Sequence, residues 1–82
     1  MTVSNRNVVK AWHEGNKATG SRMWTNGEKL YSYARVIGFK MVFGQIVIRR
    51  VIRSVTTTRH INTALRYLDE LGVHYSIERV KD

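Results

Sequence analysis

Eighty-two residues, 43% hydrophobic and 24% charged, describe one small domain with a thin core and exclude disorder, which needs few apolar residues and a large charge excess. There is no cysteine and no proline, so disulfides, thiolate metal sites and slow prolyl isomerisation are excluded. Fourteen Lys and Arg against six Asp and Glu give a net charge of +8, which makes an anionic partner the first expectation.

A helix is expected over residues 4–14. Ser4 supplies the N-cap, Val3 and Val8 stand at the positions of a hydrophobic staple, and Val8, Ala11 and Trp12 share a face. Gly15 is the stop, in the left-handed conformation that helix ends favour. Residues 16–22 read as a loop, and Met23-Trp24-Thr25 as a short strand. Asn26-Gly27 predicts a hairpin with a two-residue type I′ turn, and the return strand begins near Glu28.

From Lys29 to Phe43 the chain is rich in aromatic and β-branched residues. A single strand of that length would run about 50 Å, longer than a domain of this size, so the segment must bend or break. Gly38 is the expected point, as a bulge or kink. Gly44-Gln45 turns the chain into a β-branched strand, Ile46–Arg53. The hydroxyls of Thr56-Thr57-Thr58 start a second helix over residues 58–71, with Ile61, Ala64, Leu65, Leu68 and Leu71 as its apolar stripe. Gly72 stops it, and Val73, Tyr75 and Ile77 alternate with polar residues in a last strand. The order predicts an α+β domain: a mainly antiparallel sheet of four to five strands with two helices on one face. A helical crossover before the last strand allows one parallel pairing.

The charge excess is uneven along the chain. Residues 1–53 hold ten basic side chains against Glu14 and Glu28, while residues 54–82 balance four against four. Nucleic acid, an anionic membrane surface and an acidic protein all suit such a field. The longest apolar runs, Met41-Val42-Phe43 and Ile46-Val47-Ile48, fall far short of a membrane span or a signal peptide, so no membrane partner is expected.

Most catalytic chemistry is set aside on the residues. Gly15–Arg22 resembles a phosphate loop only loosely, because serine and not lysine follows Gly20 and a helix precedes it. His13, His60 and His74 lack the mutual spacing of a metal site and read as surface or boundary histidines. Asp69 and Glu70 are adjacent and diverge on a helix. No enzyme activity, cofactor or metal is expected. Arginines clustered on a strand are unfavourable unless solvent or an anion meets them, which singles out Arg49, Arg50 and Arg53 as phosphate contacts, with Lys40 and Arg35 in support. Tyr31 and Tyr33 alternate with Arg35, Ile37 and Phe39 on one strand face, where they would stack bases if that face is open. Arg59 and His60 flank the start of the second helix, whose dipole favours an anion.

Three groups of residues carry a resemblance: Trp12-x-x-Gly15-x-x-Ala18, then Thr25-x-Gly27-x-x-Leu30-Tyr31-Ser32-Tyr33, then Thr56-Thr57-Thr58-Arg59-His60-Ile61. In order and spacing, the chain resembles a family of small uncharacterised proteins of phages and other mobile elements. The resemblance implies a viral or mobile-element origin and brings no activity with it. The expected function is therefore a small basic nucleic-acid-binding protein in the cytoplasm of the infected or carrying cell. The alternative is an accessory protein that binds and inhibits a host defence protein. A homo-oligomer with Trp24 or Phe43 at its contacts is a third arrangement.

Overall fold

A computed structural model of the chain describes residues 2–51 and 55–80. Helix α1 spans Asn5–Glu14, and the Ser4 hydroxyl oxygen accepts the Asn7 N–H at 3.3 Å. Gly15 lies at φ 82°, its N–H reaching Trp12 O at 3.1 Å, while the Asn16 N–H reaches Ala11 O at 2.8 Å. This is the paired closure of a Schellman end. Strands β1 (Ala18–Thr19), β2 (Met23–Thr25), β3 (Lys29–Ser32), β4 (Arg35–Lys40) and β5 (Ile46–Val51) follow, then α2 (Val55–Leu71) and β6 (Tyr75–Val80). The six strands form one sheet in sequence order, antiparallel except for the β5–β6 pair, which α2 joins as a parallel crossover. The fold is α+β, with two helices on a mostly antiparallel sheet. The sixth strand is β1, two residues pairing with β2 inside the expected loop.

The β2–β3 hairpin is present, but its turn differs from expectation. Thr25 pairs with Leu30, so four residues make the loop, and only Gly27 has positive φ. Asn26 holds the turn through its side chain, Oδ1 accepting the N–H groups of Glu28 (3.0 Å) and Lys29 (2.8 Å). Local side-chain bonding of this kind competes with a tight backbone turn.

The long segment breaks at Tyr33-Ala34, before Gly38. Tyr33 takes φ 58° without being glycine. Its N–H donates to Arg22 O at 2.8 Å, and its carbonyl accepts Trp24 Nε1 at 2.7 Å. Beside Gly38 the β3–β4 register slips, since Leu30 pairs with Gly38 but Tyr31 with Val36. Ile37 and Gly38 therefore both face the helices, in a bulge. Glycine is needed there because a Cβ would meet the Trp12 ring at 3.0 and 3.1 Å.

Both helices bury one side against one face of the sheet. Val8, Val9 and Trp12 of α1 meet Ile61, Ala64, Tyr67 and Leu68 of α2 over Met23, Leu30, Ile37 and Ile48. Helix α2 begins a turn earlier than expected, which places the three threonines inside its first turns. Its buried stripe is also rotated, so that Thr57, His60 and Tyr67 point inward while Leu71 lies half exposed. Gly72, at φ 67°, ends it with the Val73 N–H on Leu68 O at 3.0 Å. Strand β6 is an edge, and its Ile77 remains 46% exposed. Among the described residues no helix is long and apolar enough to cross a membrane.

Candidate nucleic-acid interface

The row Leu30–Gly38–Ile48–Ile77 crosses the sheet and divides it into two ends. Antiparallel order sends the start of β2, the end of β3, the start of β4 and the end of β5 to the same side of that row. The parallel crossover adds the end of β6 and the first turn of α2. That side carries Arg22, Arg35, Arg49, Arg50, Arg59 and Arg79, and Glu78 is the acid there among the described residues. Lys17, Lys29 and Lys40 lie on the other side, with Glu14, Glu28 and the end of α2.

The arginine pair of β5 divides as the alternation of a regular strand predicts. Arg49 and Arg50 point to opposite faces of β5. Arg49 lies on the face away from the helices and meets Glu78 at 3.4 Å. Arg50 is exposed beside Arg79 on the next strand. Arg53 lies outside the described residues. Arg35 pairs with Ser32 across the β3–β4 turn. Lys40 does not join the arginines: its ammonium turns under α1, donating to the carbonyls of Trp12, His13 (3.2 Å) and Gly27 (3.5 Å). Burial lowers its pKa. A cation satisfying the last carbonyls of a helix is a structural cap.

Tyr31 and Tyr33 do not share a platform either, because β3 ends at Ser32 and the turn at Tyr33 breaks the alternation between them. Tyr31 lies on the open face, stacked on Trp24 with ring centroids 3.9 Å apart and planes 2° from parallel. Tyr33 stands 48% exposed at the arginine end, its ring centroid 6.3 Å from that of His60.

A cleft of about 240 Å³ opens beside it, lined by Asn5, Ser21, Arg22, Thr56, Arg59 and His60. Three elements supply these groups: α1, the β1–β2 connection and the first turn and a half of α2. His60, expected at the surface, is only 4% exposed. Its Nδ1 lies 2.6 Å from Ser32 Oγ, and Ser32 Oγ donates to Thr57 Oγ1 at 3.4 Å. Burial, and after it the Arg22 charge, push the His60 pKa below its usual value, so the ring is neutral at neutral pH. With Nδ1 held inside, Nε2 is the ring's remaining polar atom for the cleft. Ser32 and His60 are not a nucleophilic pair, because Ser32 is 1% exposed and no substrate carbonyl reaches its oxygen. No cluster of three metal-ligating side chains exists among the described residues.

Sequence reasoning left out Arg22 and Ser21, which fall in the Gly15–Arg22 stretch set aside as a phosphate loop, and Ser32, which reads as an ordinary strand residue until α2 packs on it. At the other end, Val42 and Phe43 project from the β4–β5 tip, each 97% exposed. The Met41 N–H to Gln45 O bond and the Gly44 N–H to Met41 O bond, both 2.8 Å, hold that tip. Neither a family model, a curated protein nor a solved structure matches the chain.

Proposed function

We propose that this chain is a small, non-enzymatic nucleic-acid-binding domain of phage or mobile-element type that grips phosphates with one end of its sheet. The supporting observation is the pole of six arginines against one acid among the described residues; two of the six, Arg22 and Arg59, line the cleft. Guanidinium groups match phosphate oxygens in geometry and stay charged at any physiological pH. Phosphate contacts release counterions, so affinity must fall steeply with salt. Fluorescence-anisotropy titration with labelled oligonucleotides across a salt series tests the reading. Arg22→Ala/Arg59→Ala should weaken binding and flatten the log–log salt slope by about 0.7–0.9 for each phosphate contact removed. Binding indifferent to salt, or absent at low salt, overturns it. The bare Val42-Phe43 tip favours a second reading, an accessory protein that docks on a host protein. Absence of nucleic-acid binding would make that tip the working end.

A further inference from the structure

We infer that the arginine end holds a subsite for one unpaired nucleotide, with the phosphate between Arg22 and Arg59 in the cleft and the base stacked on Tyr33. The inference rests on the nucleic-acid reading and narrows it to single strands. The cleft, at about 240 Å³, is smaller than the ~300–1,000 Å³ of pockets that enclose a small molecule. It takes a phosphate and its sugar, and the base must lie outside.

Tyr33 is the side chain at that border. Its ring centroid lies 6.3 Å from the imidazole that lines the cleft, and the ring is half exposed. Its backbone is fixed at both ends, by Arg22 O on its N–H and by the Trp24 indole on its carbonyl. The backbone that carries the ring is therefore placed before any ligand arrives, and the Arg22 carbonyl that helps place it belongs to a residue that lines the phosphate cleft. In a duplex each base is stacked and paired on its neighbours, so it offers no free face to Tyr33; a single strand does.

The test uses an oligothymidylate of about 12 nucleotides, within the ~4–16 nucleotide footprint of single-strand binders, and the same strand annealed to its complement. The wild-type protein should bind the single strand more tightly than the duplex. Tyr33→Ala should weaken single-strand binding by roughly five- to a hundredfold while leaving duplex binding unchanged, and Tyr33→Phe should retain it. Tyr33→Gly accepts the left-handed backbone, stays folded by thermal melting, and should lose the same single-strand preference. Equal binding of both ligands, or equal weakening of both by Tyr33→Ala, overturns the subsite and leaves the arginine pole standing. Binding of neither ligand removes the nucleic-acid reading itself.

Discussion

At the scale of single residues, His60 shows how burial sets chemistry. Its ring is inside, bonded to Ser32, and its pKa is lowered first by lost hydration and then by Arg22. On acidification the unfolded chain takes up this proton near pH 6.5, before the folded chain does. The stability that neutral His60 contributes is therefore complete above that pH. It is lost as pH falls from there toward the lower folded value. Melting temperatures measured across this range should drop for the wild type and drop less for His60→Gln; identical profiles would place the pH dependence elsewhere. Tyr33 is the opposite case, an exposed aromatic in a conformation that costs about 1–2 kcal/mol for a residue with a Cβ. Nothing in its neighbours along the chain announces it.

At the scale of elements, both ends of α1 and the end of α2 were legible in the sequence, while the start of α2 and the break at Tyr33-Ala34 were not. Ser4, Gly15 and Gly72 act through bonds spanning three to five residues, so local order is enough to place them. Gly38 was singled out correctly as a bulge, but the reversal of the chain was not foreseen. The chain reverses at Tyr33-Ala34, and Gly38 exists so that Trp12 can lie on the strand. Gly38→Val should therefore cost about 1–3 kcal/mol through overpacking against the indole. Urea midpoints measure this, and an unchanged midpoint would show that the Trp12–sheet contact is loose. The reversal and the bulge each shift which residues face the helices, because facing alternates with a period of two. The reversal is why Tyr31 and Tyr33, two apart in sequence, end in different surroundings.

At the scale of the molecule, the charge asymmetry along the chain is not the asymmetry in space. The basic first half contributes Lys17, Lys29 and Lys40 to the far end, whereas the neutral last third contributes Arg59 and Arg79 to the pole. Replacing Lys17 and Lys29 with Gln removes the same two charges as the Arg22/Arg59 variant. If position and not net charge drives binding, the lysine variant should keep the wild-type salt slope, because exposed charges beyond a Debye length of about 8–10 Å are screened from the pole. Equal losses in the two variants would mean that total charge alone attracts the ligand.

The sequence by itself determined the α+β class, the caps of α1 and the stop of α2, the place of the first hairpin and the basic character of the chain. Those depend on composition and on interactions a few residues long. Only the tertiary structure decided the turn at Tyr33, the burial of His60 against Ser32, the withdrawal of Lys40 under α1, and the gathering of arginines from three strands, one helix and one connection into one pole. Each of these joins residues that are distant in sequence, or counts faces across a turn and a bulge. Pairing order and register set such relations, and no local pattern encodes either.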